Sequence, residues 1–88
     1  MKRAHVVVRG SVQGVFFRDS LRRLAAEHGV SGWARNTPQG TVEAVFEGEP
    51  DEVDRLVSFA RVGPRSAEVD RVEIFEEEPE GLSGFSVR

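Results

Sequence analysis

The apolar residues of this chain switch between two spacings, and that switching narrows the fold more than any other feature. Where every second residue is apolar, one face of a strand is buried; where the spacing is about 3.6, one stripe of a helix is. Ala4–Arg9 is short and valine-rich, so it reads as a strand with Val6 and Val8 on one side and Val7 on the other. Gly10–Gly14 breaks it. Phe17, Leu21, Leu24, Ala25 and His28 then line one face of a helix, with Gly29 as its stop. Ser31–Asn36 reads as a strand and Thr37-Pro38-Gln39-Gly40 as a turn. In Thr41–Glu47, Val42, Ala44 and Phe46 face one way and the mostly polar set Glu43, Val45 and Glu47 the other. That predicts a half-buried antiparallel strand.

The second half repeats the pattern. Pro50 suits a first helical turn, and Asp51, Glu52 and Asp54 suit its positive end. Val53, Leu56, Val57 and Ala60 form the apolar stripe, and Gly63-Pro64 ends it. Ala67–Phe75 reads as a strand in which Val69 is out of phase with Val72 and Ile74, so a twist or bulge is expected. Glu76–Ser83 is acidic and irregular, and Phe85–Arg88 is a short last strand. The order β-α-β-β-α-β predicts an α+β, ferredoxin-like fold: an antiparallel sheet with two helices on one face. A chain of 88 residues has room for one such domain, spanning 1–88. The fold hosts many activities, so function has to be read from a site.

The chain has no cysteine, which excludes disulfides, thiolate metal ligands and a cysteine nucleophile and fits a cytoplasmic setting. Its apolar runs are too short to span a membrane, and Met1–Val6 lacks the apolar core of a secretory signal. His5 and His28 lie far apart without metal-ligand spacing, so no metal is expected. Net charge is −3, but unevenly spread. Residues 1–44 carry seven basic and three acidic side chains; residues 45–88 carry five and twelve. An anionic ligand is therefore sought in the first half, although a solvated surface would give the same count.

The first strand runs through GSVQGVFFR, Gly10–Arg18, into a helix. Such a junction gathers free backbone amides beside the positive end of the helix, which favours an anion. Arg18 closes the loop, where a guanidinium grips two phosphate oxygens at once. No Gly-Lys-Ser/Thr follows, so this is not a nucleotide phosphate loop of that kind. The glycine spacing is wrong for a dinucleotide fingerprint. Val12 stands where phosphatases with a similar loop have cysteine, so any attack must come from water. Two glycines and an arginine also describe a plain tight turn.

The second segment is GVSGWARNTPQGTVE, Gly29–Glu43. Trp33 reads as a packing residue. Asn36 reads either as a turn former or as a carboxamide holding a water at the anion site, since it both donates and accepts. Asp19 reads as a cap or counter-charge of the first helix turn. No carboxylate pair, Ser-His-Asp set or Cys-His set can be assembled. The chemistry must therefore do without a strong general base, and the phosphoryl group must already be activated.

These two segments, in this order and spacing, resemble the acylphosphatase family. Its pattern is a Gly-x-Val-Gln-Gly-Val-x-Phe-Arg loop followed by a Gly-Trp-x-Arg-Asn strand end. The resemblance covers essentially the whole chain. It implies hydrolysis of the carboxyl–phosphate anhydride of a small acyl phosphate, with no cofactor, by a monomer without nucleic-acid or membrane partners. It further implies that the amides of Gln13, Gly14, Val15, Phe16 and Phe17, together with Arg18, hold the phosphate. Asn36 would position the attacking water, with Thr37 supporting it. Gln39 and Ala34 depart modestly from the common pattern. Whether the end of the chain reaches Arg18 stays open.

Two other functions sit on the same fold. A nucleic-acid module needs exposed aromatics on a basic sheet, a signature this sequence lacks. An anion-binding or carbamoyl-phosphate-handling module would bind phosphate tightly without turnover.

Overall fold

Two amphipathic helices lie on one sheet in the computed structural model, which describes residues 1–88. The elements are β1 (Lys2–Ser11), α1 (Phe17–His28), β2 (Ser31–Asn36), β3 (Val42–Gly48), α2 (Pro50–Val62), β4 (Glu68–Glu77) and β5 (Phe85–Val87). The strand order is β4-β1-β3-β2-β5. The even-numbered residues Ala4, Val6, Val8, Ala34, Val42, Ala44 and Phe46 meet Phe17, Leu21 and Ala25 of α1 and Val53, Leu56 and Ala60 of α2 in one buried cluster. The two stripes read from the sequence are thus the faces that bury.

Both helices end where glycine allows it. Gly29 adopts φ 64° and its N–H returns to the Ala25 carbonyl, while the Gly63 N–H returns to Phe59. Pro50 occupies the first turn of α2. The irregularity expected near Val69 is present. The β1–β4 register shifts between Arg9 and Gly10, so that Arg9 faces Arg71 and Gly10 faces Val69. Gly10 sits at φ 132°, and a Cβ there would lie 2.2 Å from the Glu68 carbonyl oxygen. The bend therefore requires glycine, and it turns the chain out of the sheet into the loop before α1.

Two expectations need correction. β3 is buried on both faces, not one, with Val45 and Glu47 as inaccessible as Phe46. It is the central strand, and its far side is covered. Glu47 accepts hydrogen bonds from the amides of Glu80, Gly81 and Leu82 and from Arg3 Nη1, so the acidic 78–84 segment is pinned across that face. The sheet is also mixed rather than wholly antiparallel. After β4 the chain crosses to the opposite edge, where β5 runs parallel to β2. Strand ends differ by a few residues, β4 reaching Glu77 where the acidic run was expected to be irregular.

Candidate active site

The loop between β1 and α1 leaves an unusual number of donors unused. None of the amides from Gln13 to Asp19 donates to an acceptor within the chain. The start of α1 has no side-chain cap. In an ordinary helix those orphan N–H groups are met by a Ser, Thr, Asp or Asn side chain. Phe16 occupies the cap position instead, in the left-handed region at φ 62°. For a bulky residue that conformation costs about 1–2 kcal/mol. The residue is held 78% exposed at the rim of a cavity.

That cavity encloses about 340 Å³ and is lined by Val12, Gly14, Phe16, Phe17 and Arg18 from the loop and helix, Asp19 and Arg22 from α1, Asn36 from β2, and Val87 from β5. Arg18 and Asn36, 18 positions apart in sequence, thus meet at one hollow because β2 ends beside the start of α1. Asn36 Oδ1 is shielded from solvent and has no hydrogen-bond partner in the chain. A buried polar oxygen without a partner carries a desolvation cost of about 1–3 kcal/mol. A water or ligand in the cavity that donates a hydrogen bond to it removes that cost.

Three residues expected at the site do not line the cavity. The Gln13 side chain donates to the carbonyls of Thr37 (2.8 Å) and Thr41 (2.9 Å), stapling the glycine loop to the β2–β3 turn. Thr37 closes that turn: its hydroxyl lies 2.6 Å from the Thr41 hydroxyl, and its carbonyl accepts the Gly40 N–H at 3.1 Å. Val15 packs partly against the core, and its carbonyl accepts a hydrogen bond from the Ser66 hydroxyl at 3.0 Å. All three shape the loop from behind.

Asp19 does not cap α1. Its carboxylate is held by Arg22 at 2.6 Å and Arg23 at 3.1 Å, and the Arg22 hydrogen bond is the main reason its pKa falls below the ordinary value. Sequence reasoning missed Arg22 as a cavity residue. Helical periodicity offers the signal, since residues four apart share a face and Arg18 closes the loop one turn earlier. It also missed Val87, for which no local signal exists, because only the crossover of β5 brings it there. Trp33 is a half-exposed platform rather than a core residue, and the Arg88 guanidinium stacks on it 4.5 Å from the ring centre. Arg18 itself donates from Nη1 to the main-chain oxygen of Arg88 at 2.7 Å.

No group of three or more His, Cys, Asp or Glu side chains is arranged to hold a metal ion. No helix is long and apolar enough to cross a membrane. On the open face of the sheet, Arg3, Arg9, Arg35 and Arg71 each lie within ion-pair distance of a carboxylate.

Comparison with known proteins gives a consistent picture. The sequence profile of the acylphosphatase family matches residues 4–87. The acylphosphatase of Thermococcus kodakarensis is 56% identical over 85 residues, covering 97% of this chain and 93% of that protein. The crystal structure of acylphosphatase from Bacillus subtilis superposes with a TM-score of 0.95 at 29% identity, covering 100% of this chain and 99% of that one. An acylphosphatase structure from Coxiella burnetii gives a TM-score of 0.93 at 42% identity over 99% of this chain and 92% of that one.

Proposed function

This chain belongs to the acylphosphatase family, and from that premise we propose a single-domain, monomeric, cytoplasmic enzyme that cleaves acyl phosphates to a carboxylate and inorganic phosphate. The amides of Gln13, Gly14, Val15, Phe16 and Phe17 and the Arg18 guanidinium cradle the phosphoryl oxygens. Gln13 and Val15 contribute through their backbones while their other groups brace the loop. Asn36 orients a water toward phosphorus, and Thr37 holds the turn that carries Asn36. The water oxygen bonds to phosphorus, and the bond from phosphorus to the acyl oxygen breaks. The electron pair leaves with the carboxylate, and the protons of the water pass to phosphate and solvent.

A carboxylate is a good leaving group, so little acid catalysis is needed. Phosphoryl transfer through a loose transition state asks mainly for positioning and charge stabilisation. The observation that supports the reading best is the pairing of unmet groups on one hollow: free amides, one arginine and an unpartnered Asn36 oxygen. Each is a donor or acceptor with capacity left for a ligand, and fixed groups of that kind are what preorganised electrostatic catalysis requires. The paired arginines of the open sheet face argue against a nucleic-acid surface there.

The test is phosphate release from benzoyl phosphate in the presence of a chelator. Wild type is expected to turn over. Asn36→Ala is expected to lose about 10²–10³ in kcat with little change in KM. Arg18→Gln is expected to raise KM and abolish turnover. Full activity in Asn36→Ala would remove the water-positioning role, and loss of wild-type activity to the chelator would remove metal independence.

A further inference from the structure

The cavity is lined by two arginines, of which the phosphoryl reading above uses one. Arg18 and Arg22 both line it, one helical turn apart on the same face of α1. Two like charges at that spacing repel, and Arg18, in the first turn, also faces the positive end of the helix dipole. Asp19 also lines the cavity, and its carboxylate is divided between Arg22 and Arg23: Oδ1 takes Arg22 Nη2 at 2.6 Å and Oδ2 takes Arg23 Nε at 3.1 Å. Arg22 therefore keeps unpaired N–H donors, and its side chain is 49% exposed.

Its position is also distinctive. Arg22 lines a second hollow of about 360 Å³ that runs along α1 past Ala26 and Ser31 to Gly84 and Phe85. It stands where the loop-side cavity and this groove adjoin. A substrate whose phosphoryl group sits in the loop has its acyl part directed elsewhere, and Arg22 is the charged group one turn farther along the helix. At 1.5 Å per residue the two arginines are offset by about 6 Å along the axis.

We propose that Arg22 is a specificity-determining residue selecting acyl phosphates whose acyl part carries a second anionic group, a carboxylate or a phosphate, about one helical turn from the reacting phosphorus. This rests on the acyl phosphate hydrolysis proposed above. The second anion meets the unpaired N–H groups of Arg22 in a charge-assisted hydrogen bond and offsets the repulsion between Arg22 and Arg18. Acyl parts without such a group gain neither.

The experiment compares 3-carboxybenzoyl phosphate with benzoyl phosphate, which differ by one carboxylate, on wild type, Arg22→Gln and Arg22→Lys. The ratio of kcat/KM for the two substrates is expected to be about tenfold in wild type, near unity in Arg22→Gln and intermediate in Arg22→Lys. A wild-type ratio near unity, or one unchanged in Arg22→Gln, overturns the proposal while leaving acyl phosphate hydrolysis intact. A second arm needs no turnover: calorimetric binding of 3-carboxybenzylphosphonate against benzylphosphonate. Tighter binding of the carboxylated compound to wild type alone supports the role of Arg22 even if neither acyl phosphate is hydrolysed, in which case the hydrolytic reading fails by itself. Equal binding of the two compounds to wild type overturns it.

Discussion

Arg18 Nη1 donates to the main-chain oxygen of Arg88 at 2.7 Å, so the guanidinium at the start of α1 is anchored 70 positions along the chain. Arg88 is itself fixed twice. Its N–H donates to the Ala34 carbonyl at 2.8 Å, and its side chain stacks on Trp33. A chain of contacts thus runs from Trp33 through Arg88 to Arg18. One part of the fork is occupied by that anchor, and the side chain also lines the cavity.

Loosening this anchor is expected to cost catalysis rather than folding. Arg88→Ala removes an exposed cation–π contact worth about 0.5–1 kcal/mol. If that energy holds Arg18 in place, kcat/KM for benzoyl phosphate falls about two- to fivefold. The circular dichroism spectrum and melting temperature should stay near wild type. A fall in melting temperature with unchanged kinetics would show that the stack is structural only.

His5 gives the fold a pH dependence on its open face. Its Nε2 lies 2.7 Å from Glu43 and its Nδ1 2.9 Å from Glu77, an arrangement that satisfies both carboxylates only when the ring is protonated. Arg35 also pairs with Glu43, and Arg3 with Glu77. Burial pushes the His5 pKa down, but the hydrogen bonds its ring donates to Glu77 and Glu43 outweigh it and raise the pKa above 6.5. A raised folded-state pKa contributes stability that is fully present below about pH 6.5 and is lost as pH rises through the folded value. The urea midpoint is expected to fall over that rise, and His5→Gln to flatten the change. An equal slope in the variant would assign it to other groups.

Glu47 works in the opposite direction. Burial raises its pKa, but the Glu80 amide, Arg3 and the Leu82 amide prevail and hold it at about 2. Its contribution is therefore present above the ordinary value of 4.5 and lost as pH falls toward about 2. Glu47→Gln leaves Arg3 buried with a weakened partner, and a loss of about 3–5 kcal/mol is expected in denaturant unfolding. A loss below about 1 kcal/mol would mean that the clamp on the 78–84 segment contributes little.

The fold was legible in the sequence wherever burial follows a simple period. The stripes of α1 and α2, the stops at Gly29 and Gly63, and the bulge near Val69 all have local causes that a sequence displays. The two-sided burial of β3 was not legible. Glu47 reads as a solvent-facing residue, and only the return of residues 80–82 across the sheet makes it an interior one. The parallel placement of β5 escaped for the same reason, since three residues carry no sign of the edge they will join. Within the candidate site, Arg18 and Asn36 line one cavity, and their place in the two motifs singles both out. The backbone of Phe16 did not announce itself, because a left-handed phenylalanine contradicts every local preference and persists only where the surrounding structure imposes it. The sequence places Gln13 in the loop through its amide and Thr37 beside Asn36. Their hydrogen bonds to the β2–β3 turn emerge only when the two segments are seen side by side.

The most direct test is to run the hydrolysis of benzoyl phosphate in ¹⁸O-labelled water and ask which product carries the label. With the phosphoryl group in the loop and the water on Asn36, attack falls on phosphorus, and the label is expected in inorganic phosphate. Label in benzoate would mean attack at the carbonyl carbon, and the roles given to the loop amides, Arg18 and Asn36 would be wrong.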